Sequence, residues 1–313
     1  MSIEPFPVEP DIRRARTIDP RVFGDAMVHR ALMQGAFARS WQLVRLGELG
    51  SDPAATAAGF TLLPGALDEP LVWTRERGPS ESLASEAEVP RERVLSNVCT
   101  HRANLVVDEP CPGARAHRGR ELVCGYHGRR FGLDGRFRSM PDFEETLDFP
   151  CERDDLAELE LARLGPLCFT RLARGLSFDV WSAPLAALLR EYDGEALVFA
   201  PERTRDYDVA ASWALYVENY LEGFHVPFVH KGLDSVLDPG HYRTELFAHA
   251  VRQVGIARAG SNEPTMRRAN EPNVAGDYLW LWPNLMVNAY PWGISTNLVE
   301  PTSPTTCRVR YLT

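Results

Sequence analysis

The sequence predicts an α+β chain in two parts, an all-β first half and a second half that sets helices against an antiparallel sheet. Three observations carry this. Short apolar runs separated by turn residues fill the first half. One amphipathic helix spans about residues 212–224. From Tyr242 the chain alternates and is rich in aromatic and β-branched residues. The length, 313 residues, suits about two domains.

The N-terminal 20 residues are polar and Pro-rich and read as an arm. Pro20 stands where a first helical position belongs, and Val22, Phe23, Met27, Ala31, Met33, Phe37 and Trp41 follow near helical spacing, so a helix is expected over about 20–38. Strands are expected at Trp41–Leu46, Phe60–Leu63, Leu71–Trp73, Val94–Val98 and Glu121–Cys124, with loops such as Gly78–Pro90 between them. A second region begins near residue 160 with a strand (Gly165–Thr170), a helix (Pro184–Tyr192) and a strand (Arg205–Ala210). In the helix from Ser212 to Phe224, Trp213, Tyr216, Val217, Tyr220, Leu221 and Phe224 make one apolar face.

Composition narrows the function classes. Hydrophobic residues are 44% and charged residues 25%, as in globular proteins, and the net charge is −9. That balance argues against nucleic-acid or anionic-membrane partners. No run of about 18 apolar residues occurs, and the N-terminus has no apolar h-region, so a cytoplasmic protein is expected. The six cysteines read as metal-binding or buried thiols. There is no G-x-G-x-x-G fingerprint, so a resident nicotinamide or flavin on a Rossmann unit is not expected.

Two constellations carry chemistry. Cys99-Thr-His101 and Cys124-Gly-Tyr-His127 form C-x-H, 22 residues, then C-x-x-H. Zinc sites favour C-x₂₋₄-C and H-x₃₋₅-H pairs, so mixed Cys/His pairs fit zinc poorly. They fit a Rieske 2Fe–2S cluster better, with two thiolates on one iron and two imidazoles on the other. Cys111, Cys151, Cys168 and Cys307 match no ligand position and read as packing residues, and His117 is expected to be exposed. Downstream, Glu222, His225 and His230 make E-x-x-H-x₄-H, with Asn219 on the same helical stripe as Glu222 and His225. Pro227 is expected to end or kink the helix and swing His230 towards His225. Two imidazoles and a carboxylate are the donor set of non-haem Fe(II) oxygenases.

The segment CTHRANLVV…LVCGYHGRRFGLDGRF resembles the Rieske domain of Rieske non-haem iron oxygenases, and the resemblance covers about residues 35–313. Its spacer is longer than usual, and Arg129 stands where many members have tryptophan. The resemblance implies an all-β Rieske 2Fe–2S domain plus a helix-grip (START-like) catalytic domain. The implied boundaries are an N-terminal arm and helix (1–38), a Rieske domain (39–160) and a catalytic domain (161–313) cut short at its C-terminus.

It also implies a 2Fe–2S cluster on Cys99, His101, Cys124 and His127, and Fe(II) on His225 and His230. Glu222 would bridge His225 to His127 of a neighbouring subunit, and Asn219 would sit near the iron. Glutamate at 222 is a mild departure from the aspartate of most ring-hydroxylating members. The family's third ligand is a carboxylate on a later helix. Asp277 and Glu300 lie in strand segments and do not match it, so that ligand stays unassigned.

The implied activity is hydroxylation of a small organic substrate with O₂ and electrons from NAD(P)H, delivered by a separate reductase or ferredoxin to a homotrimer or other ring. The segments after the histidines resemble choline monooxygenase-like and ring-hydroxylase alpha subunits. The substrate class therefore stays open between a methylated amine and an aromatic or apolar acid. Trp280, Trp282, Tyr290 and Trp292 are a candidate cage for a quaternary ammonium, with strand-core packing the favoured alternative. Two rivals are a Rieske electron-transfer protein and a degenerate homologue lacking a complete iron site.

Overall fold

A computed structural model describes residues 6–44, 54–76, 90–108, 117–191, 197–261, 264–268 and 271–313. The loop Gly78–Pro90 lies almost wholly outside them, as do Leu46 and Cys111.

Three antiparallel sheets organise the described residues. The first has six strands: β1 (Gln42–Val44), β2 (Ala57–Leu62), β3 (Glu69–Glu76), β4 (Arg91–Ser96), and later β8 (Glu158–Leu164) and β9 (Leu167–Arg171), in the order β1-β9-β8-β4-β3-β2. Between β4 and β8, the short strands β5 (Glu121–Val123), β6 (Arg130–Gly132) and β7 (Phe137–Ser139) make a three-stranded sheet. The third sheet takes β10 (Arg205–Val209), β11 (Arg243–Leu246), β12 (Ala250–Ile256), β13 (Met266–Arg268), β14 (Glu271–Leu281), β15 (Leu285–Tyr290), β16 (Gly293–Ser303) and β17 (Thr306–Leu312). β6, β7 and β8 have no counterpart among the expected strands, while β11 to β17 fill the sheet expected from Tyr242 onward. The expected boundary at residue 160 falls inside β8, and the first sheet continues to Arg171.

Strand alternation directs the packing. On β3 and β4, Val72 and Leu95 point into a core with Leu122, Phe131, Cys99 and Cys124. Their neighbours Leu71 and Val94 point the other way, into a core shared with Trp213, Val217, Trp280 and Val299. The third sheet divides likewise. Leu279, Leu281, Leu285, Val287 and Leu298 face Trp181, Leu185 and Leu188, while Trp280, Met286 and Val299 face the other side.

The helices depart from expectation in instructive ways. The helix expected over 20–38 is broken. A 3₁₀ turn at Pro20–Phe23 stops at Gly24, and α1 (Ala26–Leu32) starts afresh because the Asp25 carboxylate accepts the Met27 and Val28 N–H groups. A wide π turn, Met33–Phe37, continues it. Pro184 does not begin a helix; it lies inside α2 (Phe178–Leu189). An interior proline costs about 3 kcal/mol. Burial of Trp181, Leu185 and Leu188 against the third sheet, at about 1.5–3 kcal/mol for each large side chain, outweighs it.

Two side chains are elsewhere than expected. His117 is half-buried, with its Nδ1 3.1 Å from Thr56 Oγ1 and its backbone bridged to Ala57. Cys151 is exposed at the N-cap of the 3₁₀ turn Glu152–Asp154, while Cys168 and Cys307 are buried as expected. Among the described residues, no helix is long and apolar enough to cross a membrane.

Leu188→Ala is expected to cost about 2–5 kcal/mol in chemical denaturation, because the site is enclosed between helix and sheet. A loss below about 1 kcal/mol would show that α2 does not organise this core.

Candidate metal centres

Residues 99–104 and 124–129 fold into two copies of one loop. Cys99 N–H donates to Asn104 O and Ala103 N–H to Cys99 O, at 2.8 and 2.9 Å. Cys124 N–H donates to Arg129 O and Gly128 N–H to Cys124 O, at 2.9 and 3.0 Å. Both turns close on a left-handed residue, Ala103 (φ 57°) and Gly128 (φ 70°). Glycine adopts this freely, whereas alanine pays about 1–2 kcal/mol.

The loops bring the two cysteines together and the two histidines together. Cys99 and Cys124 are buried with their sulfurs within hydrogen-bonding reach. The His101 and His127 rings stand edge to face, 4.8 Å between centroids. Burial pushes the Cys99 thiol up. Burial also acts to raise Cys124, but the Tyr126 N–H, the Cys99 thiol, the His127 N–H and the Asn104 amide outweigh it and hold that thiol below its usual range. A sulfur facing N–H donors is one prepared to carry negative charge.

The second constellation sits where α3 (Trp213–Tyr220) ends. Ser212 caps its start, accepting from Leu215 N–H. The helix was expected to reach Phe224 but stops at Tyr220, so Asn219, Glu222 and His225 do not share one helical stripe. The Glu222 carboxylate is the reason: it accepts the Phe224 and His225 N–H groups and turns the chain. Phe224 leaves the apolar face and is 86% exposed. Pro227 does not make the break. It occupies the first turn of a new short helix, α4 (Val226–Val229), where its missing N–H is harmless. α4 carries His225 at its N-cap and His230 at its C-cap, with ring centroids 5.1 Å apart. Glu222 Oε1 lies 2.5 Å from His225 Nδ1, which leaves Nε2 as the free donor atom. Asn219 is exposed on α3.

Sequence reasoning missed the residues that hold this turn. Gln253, 1% exposed on β12, donates from Nε2 to the Tyr220 carbonyl at 2.7 Å, filling an orphan acceptor at the end of α3. Its Oε1 accepts the Tyr242 hydroxyl at 3.0 Å, and the Tyr242 ring lies against Gly223, where a Cβ would come within 3.1 Å of it. A buried glutamine at an inward strand position was the available signal. The Tyr220 hydroxyl donates to Asn288 Oδ1 at 2.8 Å. Burial, then neighbouring tyrosines, push Tyr220 far above its usual range, while burial and then Glu222 push Tyr242 up to about 12. These hydroxyls stay protonated.

The proposed aromatic cage does not assemble. Trp280 and Trp282 pack edge to face with each other and Trp282 with Trp213, in the core, whereas Trp292 is exposed and stacks on Tyr290 at 4.8 Å. Asp277 and Glu300 are buried in ion pairs, Asp277 with Arg252 at 2.6 Å and Glu300 with Arg310 at 2.5 Å. Neither stands free to ligate a metal.

Among the described residues, no three His, Cys, Asp or Glu groups cluster tightly enough to hold a metal ion. The donors come instead in pairs: two sulfurs, two imidazoles, and a second imidazole pair with a carboxylate behind it. Paired thiolates and paired imidazoles are what a Rieske cluster requires, and an imidazole pair is part of a non-haem iron site, so the donor sets fit both groups.

Comparison with known proteins agrees. A family model of the Rieske [2Fe–2S] domain matches residues 68–151, and one of the ring-hydroxylating alpha subunit catalytic domain matches residues 198–313. This chain belongs to the Rieske-type ring-hydroxylating oxygenase alpha subunits. As in that family, its cofactors are a 2Fe–2S cluster and a mononuclear iron. Among related proteins, choline monooxygenase of Beta vulgaris is 27% identical, over 76% of this chain and 52% of that protein. The carnitine monooxygenase oxygenase subunit of Escherichia coli is 23% identical, over 89% of this chain and 69% of that protein. The chain thus spans about half the length of the choline monooxygenases it matches.

Solved structures share the fold of this alpha subunit. A quaternary ammonium Rieske monooxygenase superposes with TM-score 0.70 at 19% identity, covering 94% of this chain and 74% of that one. Naphthalene 1,2-dioxygenase from Rhodococcus gives 0.71 at 15%, covering 95% and 72%.

Gln253→Leu is expected to destabilise the fold by about 1–3 kcal/mol, by leaving the Tyr220 carbonyl and Tyr242 hydroxyl unpaired. Amide hydrogen exchange should rise locally over residues 221–226. Unchanged local exchange would show that the turn holds itself.

Proposed function

We propose that this chain is the oxygenase component of a Rieske system, hydroxylating a small organic substrate with O₂. The observation that carries the reading is the His225–His230 pair, with Glu222 on His225 Nδ1, in a chain that also pairs Cys99 with Cys124 and His101 with His127. The two cysteines would hold one cluster iron and His101 and His127 the other, while His225 and His230 would hold the mononuclear iron. When bound, the cluster supplies single electrons and the iron supplies the O₂ chemistry.

The chain's own residues do the rest. Glu222 keeps the Nδ1 proton of His225 in place, so the imidazole presents a fixed Nε2 lone pair. Gln253 and Tyr242 hold the turn that carries both groups. Tyr220 and Tyr278 keep neutral hydroxyls, because burial pushes both well above their usual range.

Assembly into a ring, as in a homotrimer, belongs to the same reading. His127 is exposed, and no hydrogen bond or ring contact among the described residues joins the 99–129 loops to the 222–230 turn. Glu222 then serves as the bridge to His127 of the partner subunit. The apolar side chains beside the histidines, Phe224, Phe228 (83% exposed) and Val229, suit burial against another chain. A separate reductase or ferredoxin would supply electrons from NAD(P)H. The free buried thiols Cys168 and Cys307 suit a reducing, cytoplasmic setting.

For substrate, a methylated ammonium is the favoured class. Choline and carnitine monooxygenases among the relatives support it.

The test uses the reduced, metal-loaded protein with O₂ and either choline, carnitine or naphthalene. Hydroxylated product from a quaternary amine supports the reading, and no product from any of the three contradicts it. Glu222→Gln should keep both metals yet lower product formation by about 100-fold. Unchanged turnover would refute its assigned role.

A further inference from the structure

Arg129 is the least expected side chain near the first centre. It closes the second loop, its backbone carbonyl accepts the Cys124 N–H, and it is 2% exposed. A guanidinium cannot shed its charge, so this is a fixed, desolvated cation. Three phenylalanine rings surround it. Their centroids lie 4.8 Å (Phe137), 5.5 Å (Phe149) and 5.7 Å (Phe131) from Cζ. Nη2 reaches Asp154 Oδ1 at 2.6 Å and the Asp154 carbonyl at 3.3 Å, and Nη1 lies 3.9 Å from Met140 Sδ. Nε is buried with no hydrogen-bond partner.

The same Asp154 carbonyl accepts the hydroxyl of Thr100, the residue between Cys99 and His101, at 2.7 Å. Asp154 therefore ties the first loop to the second through Arg129. The cage is linked to one histidine through Phe143: Phe149 packs on Phe143, whose ring lies 5.9 Å from His101. Packing alone does not account for this. An apolar residue would fill the Phe cage without a buried charge or an unpaired Nε, and Thr100 would still bond Asp154.

We infer that Arg129 is a positioning residue that raises the reduction potential of the cluster through its buried positive charge. This rests on the cluster being held by Cys99, His101, Cys124 and His127. Reduction adds one electron, taken from the external donor, and makes the centre one unit more negative. A fixed cation behind the loops stabilises that added charge, and low-dielectric surroundings strengthen the effect. Asp154 opposes it: as a carboxylate it screens the cation and would, by itself, lower the potential. The aromatic rings keep the guanidinium dry and in place.

The two partners must therefore act with opposite sign, which loosened packing would not produce. The test is a redox titration of the full-length, cluster-loaded chain, followed by the EPR signal of the reduced cluster. Arg129→Met is expected to shift the midpoint to lower potential, Arg129→Lys to keep most of the wild-type value, and Asp154→Asn to shift it higher. Midpoints of Arg129→Met and Asp154→Asn that move together, or not at all, overturn the proposal. If Arg129→Met does not load a cluster, the sign of the Asp154→Asn shift decides alone. A wild-type chain that takes up no cluster overturns the cluster assignment itself, and this proposal with it.

Discussion

Side-chain alternation on antiparallel strands is the constraint from which the rest of this molecule follows. Because neighbouring residues point to opposite faces, β3 and β4 serve two cores at once. Val72 and Leu95 support the cysteine loops, and Leu71 and Val94 anchor the layer that holds α3. The third sheet does the same, with α2 on one face and α3 on the other. A shift of one residue in register would exchange the faces and separate both centres from their supports.

On that frame, each centre is placed by a backbone device and a buried polar group. The cysteine loops rest on repeated turn hydrogen bonds and a left-handed residue. The histidine turn rests on Glu222, which ends α3 early, and on Gln253, which satisfies the carbonyl that the ending exposes. Gln253 places a polar side chain in the interior, where an unmade hydrogen bond costs most. The downstream carboxylates are consumed differently. Asp277 and Glu300 each neutralise a buried or half-buried arginine, so their charge is structural.

The pairing of the cysteines and of the histidines was legible in the sequence because residue identity and spacing are local properties. Cys99, His101, Cys124 and His127 needed only their two loops, and His225 and His230 only a break between helices. The long alternating tail was legible for the same reason. What tertiary packing decides was not. Pro184 sits mid-helix because a buried face outweighs its local cost. His117 is half-buried because its backbone bridges β2, and Cys151 is exposed although its composition class favours burial. The end of α3 was misplaced because Glu222 reads equally well as a helical residue and as a competitor for backbone N–H groups. Trp280, Trp282, Tyr290 and Trp292 share a strand pattern, yet the sheet sends two of them to the core and two to its edge.

On these donor pairs, one chain carries both a Rieske cluster and a separate mononuclear iron. Iron and sulfide analysis with EPR on anaerobically purified protein tests it most directly. The structure predicts the reduced Rieske signal, two cluster irons with two sulfides, and about one further iron per chain, which substituting His225 and His230 with alanine removes without touching the cluster. Cluster iron alone would leave an electron carrier, and zinc with no sulfide would contradict the assignment of both centres.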